Sequence, residues 1–88
     1  MHMKKVTINN KYGLQSKMAA VFIHKASKYT SSIWVEKDER KANAKSLLGL
    51  LSLGIGEGDV ITLTAEGEDA EKAANDLEEY LVSDLREE

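Results

Sequence analysis

The sequence predicts an α/β (α+β) open-faced sandwich with the element order β-α-β-β-α-β-α. The evidence is two stretches of alternating polar and apolar residues, two stretches with apolar residues at helical spacing, and a leucine-rich run after a serine. Each predicted helix has one apolar side, so three helices should cover one face of a four-stranded antiparallel sheet. The 88 residues should form one domain, 1–88, with one hydrophobic core.

Composition and charge argue against several classes of function. A net charge of −3 and few aromatic residues do not suit a nucleic-acid-binding protein, which needs a basic surface and stacking aromatics. The absence of cysteine excludes disulfides and thiolate chemistry, and no apolar run is long enough for a membrane span. His24 has no second ligand at helical spacing, so we expect no metal site and no cofactor. We expect a cytoplasmic protein.

The first half of the chain predicts three strands and one helix. Residues 5–9 alternate as a half-buried strand does, and residues 9–13 have turn chemistry. Ser16 is the natural N-cap of a helix that runs to about Lys28. Residues 32–36 and 41–43 predict a hairpin. The apolar face of the helix comprises Ala19, Phe22, Ile23 and Ala26.

The segment that follows the hairpin has a serine and then five leucines within seven positions. Ser46 should cap a short helix, because its hydroxyl can accept a hydrogen bond from an N–H group of the first turn. Leu50 and Leu53 lie three apart and can point into a core together. The remaining leucines should face water as a docking surface, and the alternative is a fully buried helix with an unmodified serine. The docking residues are Leu47, Leu48 and Leu51.

The last third of the chain predicts a loop, a strand and a helix. The three alternating glycines of residues 54–58 lack the lysine and Ser/Thr of a phosphate-binding loop, so a mobile connector is expected. Residues 60–65 predict a strand with alternate residues from Ile61 on one face. Asp69 should cap the last helix, which has one apolar stripe. The stripe comprises Ala70, Ala73, Ala74, Leu77, Leu81 and Leu85.

Two motifs resemble the HPr family, the small phosphocarriers of the bacterial sugar phosphotransferase system. The first is Gly-Leu-Gln-Ser-Lys-Met-Ala-Ala at residues 13–20. The second is Asn-Ala-Lys-Ser-Leu-Leu-Gly-Leu-Leu-Ser-Leu-Gly at residues 43–54, which closely matches the family's regulatory-serine motif. The resemblance covers nearly the whole chain without gaps between the motifs, and it implies the element order derived above.

The first motif departs from the family at Gln15, where an HPr-type carrier has the histidine that accepts phosphate from Enzyme I. A carboxamide has no nucleophilic ring nitrogen, so Gln15 cannot form the phosphoramidate. Lys17 replaces an arginine and keeps the charge without the planar fork, while Met18 replaces a proline. We therefore expect no catalytic residue and no histidine phosphotransfer.

The second motif is intact, and the combination is the pattern of HPr-like proteins in carbon catabolite repression. The resemblance implies that HPr kinase/phosphorylase phosphorylates Ser46 with ATP. It further implies that the phosphorylated protein binds catabolite control protein A, a LacI-type repressor, as its corepressor. The residues expected to contact the partner are Gln15, Lys17, Lys45, Leu47, Leu48 and Leu51.

Other interpretations of the sequence remain open. One is an adaptor that binds metabolic enzymes through the same surface, with or without phosphate. A degenerate phosphocarrier would need His24 or His2 to replace the lost ring. A small hydrolase would need a nucleophile, a base and an oxyanion site, and because no such set appears we expect no enzyme. The expected state is a monomer or a weak or swapped homodimer.

Overall fold

The computed structural model of the chain describes residues 1–83. Four strands form one antiparallel sheet in the order β1-β4-β2-β3. α3 packs on β1 and β4, α2 packs on β3, and α1 packs against both other helices. The predicted open-faced sandwich and its element order are confirmed. The elements are β1 (His2–Thr7), α1 (Ser16–Ala26), β2 (Ser32–Lys37), β3 (Arg40–Asn43), α2 (Leu47–Ser52), β4 (Val60–Glu66) and α3 (Ala70–Val82).

The strand register places the apolar residues of the sheet on one face. Val35 of β2 lies opposite Leu63 of β4 on one side and opposite Ala42 of β3 on the other. All three side chains are buried, as are Ile61 and Ala65, so the predicted inner face of β4 is confirmed. Alternation puts the intervening residues on the open face, where the strands contribute partly exposed side chains.

The predicted apolar faces of α1 and α3 pack against this sheet in one buried cluster. Phe22 of α1 is the largest fully buried side chain, and burial of a side chain of this kind stabilises a fold by about 1.5–3 kcal/mol. Ile23 is only partly buried at the edge of the cluster. The predicted stripe residue Leu85 lies outside the described residues. The buried helical residues are Ala19, Phe22, Ala26, Ala70, Ala73, Ala74, Leu77 and Leu81.

The predicted boundaries of the first strand and of the first helix were wrong at both ends. The first strand is His2–Thr7 rather than residues 5–9. Ile8 continues the alternation and is buried, but its amide bonds the carbonyl oxygen of Asp59 (2.8 Å) in a loop. Gln15 is the N-cap residue of α1, with extended backbone, so the helix already includes Ser16. The helix also ends at Ala26, two residues before the predicted end.

Asp69 has the predicted position before α3 but does not cap the helix with its side chain. Its carboxylate instead accepts hydrogen bonds from the amides of Thr30 and Ser31, both at 3.0 Å, and from the Ser31 hydroxyl. These bonds, led by that of the Ser31 hydroxyl, lower the pKa of Asp69 to about 2. The carboxylate therefore joins α3 to the segment before β2 instead of closing its own helix.

The connector that was predicted to be mobile is anchored by hydrogen bonds. The amide of Leu14 donates to the carbonyl oxygen of Ile55 (3.1 Å), and the amide of Gly58 donates to that of Ile8 (2.7 Å). Gly13, with φ +72°, passes so close that a Cβ atom there would lie 2.3 Å from the Ile55 oxygen. Glycine is required at this crossing, which brings the start of α1 beside the end of α2.

Candidate functional site

Ser46 is the N-cap residue of α2, as predicted. Its backbone is extended, and its Oγ atom accepts a hydrogen bond from the amide of Gly49 at 3.2 Å. Gly49 allows the first turn to pack closely, because a Cβ atom there would lie 3.2 Å from the Ser46 Oγ atom and 3.3 Å from Ala42. Ser46 is half-buried, and the serine hydroxyl lies where free N–H groups and the helix dipole favour negative charge.

The leucines after Ser46 divide between the core and the surface, as predicted. Leu50 and Leu53 are buried in the core cluster. The other three form the leucine surface, defined as Leu47, Leu48 and Leu51, with exposures of 45%, 81% and 40%. The alternative of a fully buried helix was therefore wrong. Clustered exposed leucines of this kind are typical of surfaces that bind a partner.

Gln15 lies beside the leucine surface. It is exposed at the start of α1, and its Nε2 atom donates to the carbonyl oxygen of Tyr12 at 3.1 Å. Gln15 and Leu51 line the same cleft of about 420 Å³ between α1 and α2. The structure thus joins the first motif to the second, and the remaining walls of the cleft are Leu14, Gly54, Ile55 and Gly56.

Positive charge lies on the other side of Gln15. A second cleft of about 360 Å³ is lined by Lys11, Tyr12, Gln15, Lys17 and Met18. The Lys11 ammonium lies 5.5 Å from the centroid of the Tyr12 ring, and Tyr12 is an exposed aromatic residue that the sequence did not single out. These groups can attract an anionic partner, but Gln15 gives the site no nucleophilic nitrogen.

Lys45 precedes Ser46 but points its ammonium into the protein. The Nζ atom donates to the carbonyl oxygens of Tyr29 (2.8 Å) and Ser31 (3.0 Å), beyond the end of α1. These bonds fix the segment before α2 against the rest of the fold. The predicted contact between Lys45 and a partner would have to compete with these two internal bonds.

Three residues that make polar contacts near the end of α2 were not predicted from the sequence. Lys37 donates to the Gly54 carbonyl oxygen at 2.6 Å and pairs with Asp59 at 2.9 Å, while Arg40 donates to the Ser52 carbonyl oxygen. Hydrogen bonding from the Gly56 amide, followed by that from Lys37, lowers the pKa of Asp59. The available signal was that α2 has no basic residue in its own last turn, so cations from other segments could bond its last carbonyl oxygens.

The structure also bears on the predictions made for His24, for metal binding and for membrane insertion. His24 is exposed on α1, as predicted. Within residues 1–83, no three His, Cys, Asp or Glu side chains are grouped so that they could hold a metal ion. None of the three helices described is both long enough and apolar enough to cross a membrane.

Comparison with known sequences places the chain among phosphotransferase-system proteins. The family profile described as "PTS HPr component phosphorylation site" matches residues 2–83. The chain is 49% identical to HPr-like protein Crh of Halalkalibacterium halodurans over 84% of this chain and 88% of that protein. It is 41% identical to HPr-like protein Crh of Bacillus subtilis over 97% of this chain and 100% of that protein.

Solved structures of HPr and Crh proteins are also similar to this chain. The crystal structure of HPr-C-His from Thermoanaerobacter tengcongensis has 46% identity and a TM-score of 0.95, covering 100% of this chain and 99% of that chain. The crystal structure of Crh from Bacillus subtilis, a dimer with a swapped domain, has 40% identity and a TM-score of 0.77, covering 99% and 100% of the two chains. On this sequence and structural evidence, the chain belongs to the HPr family.

Proposed function

We propose that this protein is a regulator of carbon catabolite repression that no longer carries phosphate on a histidine. HPr kinase/phosphorylase phosphorylates Ser46 with ATP, and the phosphorylated protein binds catabolite control protein A as its corepressor. The proposal assigns the protein no catalytic residue of its own and places it in the cytoplasm with these two partners. Its similarity to Crh proteins over 84% and 97% of the chain supports this assignment.

The single observation that carries the proposal is the position of Ser46 at the start of α2, adjoining the exposed leucine surface. A phosphoserine brings about −1.5 to −2 units of charge and three strong acceptor oxygens. Those oxygens can bond the N–H groups of the first turn and a partner arginine, while the leucine surface supplies apolar contact. Modification at this place changes the recognition surface without rebuilding the core.

Gln15 supports the second half of the proposal. It occupies the position of the phosphocarrier histidine, and its side chain donates to a backbone carbonyl and lines the cleft beside Leu51. An amide cannot accept a phosphoryl group there, but it can donate and accept hydrogen bonds with a docked partner. The proposed role for Gln15 is therefore contact rather than transfer.

The experiment is incubation with HPr kinase/phosphorylase and ATP, followed by mass spectrometry of the intact and digested protein. One phosphate should appear, on Ser46, and none in Ser46→Ala. Ser52→Ala is the matched control, since Ser52 lies at the opposite end of the same helix and its hydroxyl donates to the Gly49 carbonyl. Phosphate that persists in Ser46→Ala would contradict the assignment.

The proposal also includes a monomer or a weak or swapped homodimer. The Bacillus subtilis relative was solved as a swapped dimer, and in this chain β1 is an edge strand joined to α1 through residues 8–15. An edge strand can pair equally with the sheet of a second copy. Sedimentation at increasing concentration distinguishes the two states: a dimer population that grows with concentration would support exchange, and a strict monomer at all concentrations would exclude it.

A further inference from the structure

Two cations from the tip of the β2–β3 hairpin hold the C-terminal end of α2. The Arg40 guanidinium donates to the carbonyl oxygen of Ser52, and the Lys37 Nζ atom donates to that of Gly54 at 2.6 Å. The Ser52 carbonyl is one of the last acceptors that a helix leaves unpaired, and the Gly54 carbonyl lies two residues beyond the helix, at the end where the dipole favours positive charge. The hairpin therefore supplies the cations that α2 lacks in its own last turn.

α2 depends on such external contacts because it is short. It has six residues and includes Gly49, and a helix of this length is not stable in water on its own. The carbonyls of Leu50 and Leu51 are bonded locally by the amides of Leu53 (3.1 Å) and Gly54 (3.2 Å). The Arg40 guanidinium then supplies a partner for the next carbonyl oxygen, that of Ser52.

Lys37 also fixes the wall of the cleft next to α2. Its ammonium pairs with the Asp59 carboxylate at 2.9 Å, and the same carboxylate oxygen accepts the amide of Gly56 at 2.6 Å. Gly56 lines the cleft that also contains Gln15 and Leu51. One side chain thus ties the hairpin to the end of α2 and to the loop that closes the cleft.

We propose that Lys37 and Arg40 are positioning residues for the docking surface. These two side chains hold α2 and the cleft wall in position. The positions of α2 and of the cleft wall in turn determine how the leucine surface is presented to the partner of the Ser46-phosphorylated protein. This last step rests on the proposed function. The hold on α2 is a property of the free protein and can be measured without any partner.

The first test is amide hydrogen exchange of the unphosphorylated full chain in Lys37→Gln and Arg40→Gln. Exchange of the Leu53 and Gly54 amides should become about tenfold faster, because each change removes a charge-assisted hydrogen bond from this end of α2. The Leu63 amide in the central strand β4 should exchange as in the parent protein.

The matched control is Lys41→Gln. It removes a positive charge from the same hairpin, but the Lys41 ammonium lies 5.2 Å from the Trp34 ring centroid on the open face of the sheet. Its α2 amides should exchange as in the parent. The proposal is overturned if the Lys37 and Arg40 variants exchange no faster than this control, or if Leu63 accelerates equally, which would indicate a general loss of stability.

The second test is a titration of the phosphorylated variants with catabolite control protein A. Lys37→Gln and Arg40→Gln should bind several-fold more weakly than Lys41→Gln, and Arg40→Lys should be intermediate because it keeps the charge without the fork. Weaker binding with unchanged exchange in α2 would mean direct contact with the partner and would contradict positioning. Failure of the phosphorylated parent to bind would contradict the proposed function. The hydrogen-exchange result would still show whether Lys37 and Arg40 stabilise the C-terminal end of α2.

Discussion

Gln15 and Leu51 line one cleft, although 36 positions separate them in the chain. Gln15 is the N-cap residue of α1 and Leu51 lies near the end of α2, and the crossing of Gly13 over Ile55 brings these two ends together. Gln15 and the leucine surface therefore form one continuous surface. A partner that docks on the leucine surface can reach Gln15 without a change in the fold.

Leu48→Glu should separate docking from folding. Leu48 is 81% exposed, so the free energy of unfolding should change by less than about 1 kcal/mol. Binding of the phosphorylated protein to its partner should weaken at least about tenfold if Leu48 anchors the interface. Thermal melts and a binding titration measure the two effects.

The control for this variant is Leu50→Ala, which removes a fully buried side chain from the same helix. It should cost about 2–5 kcal/mol of unfolding free energy through lost burial and the cavity left behind. Unchanged binding in Leu48→Glu would contradict the assignment of the leucine surface.

Gln15→His should restore partial acceptance of phosphate from Enzyme I and phosphoenolpyruvate. The new ring would begin α1, where backbone N–H groups favour a phosphoryl group and Lys11 and Lys17 line the adjoining cleft. Acid-labile, base-stable label should appear on the variant, and adding Lys17→Arg should increase it by supplying the planar fork.

The parent protein provides an internal control, because it already contains an exposed histidine, His24, in the last turn of α1. A histidine there is far from the free N–H groups of the helix start, so the parent should take up no label. Label on the parent protein would contradict the proposal that this protein no longer carries phosphate on a histidine.

Asp69→Asn should weaken the dependence of the free energy of unfolding on pH under acidic conditions. Folding depresses the pKa of Asp69 from 3.8 to about 2, so its carboxylate contributes stability that is fully present above about pH 4. That contribution is lost as the pH falls through about 2. Urea unfolding between pH 5 and pH 2 should show a smaller loss of stability in Asp69→Asn than in the parent.

Two further variants sharpen this measurement. Ser31→Ala should reduce the acid dependence in the same direction, because the Ser31 hydroxyl is the main cause of the lowered pKa of Asp69. Glu68→Gln removes an equal charge next to Asp69 but leaves the hydrogen bonds to Thr30 and Ser31 in place, so it serves as the matched control. If Asp69→Asn has the same pH dependence of unfolding free energy as the parent protein, Asp69 does not join α3 to the segment before β2.

Local signals predicted several features of the fold and of the site correctly. The spacing of Phe22 and its neighbours, the alternation around Leu63, and the cap at Ser46 each depend on residues within one or two turns, and the structure agrees with all three. The division of the leucines between core and surface also follows from helical spacing alone.

Apart from the wrong element boundaries, the failures concern long-range partners that no local pattern encodes. Asp69 bonds Ser31, 38 positions away, in preference to its own helix. Lys45 bonds carbonyls 14 and 16 positions earlier, and Arg40 bonds one 12 positions later. A charged side chain has several acceptors of similar strength within reach in a folded chain, so the sequence gives its charge but not its partner.

The most direct test of the proposed function is the affinity of catabolite control protein A for the phosphorylated and the unmodified protein. Ser46→Ala carried through the same kinase treatment serves as the matched negative control. Phosphorylation should tighten binding at least about tenfold, because the phosphate adds charge-assisted hydrogen bonds at the interface. Equal affinity of the two forms would contradict regulation through Ser46.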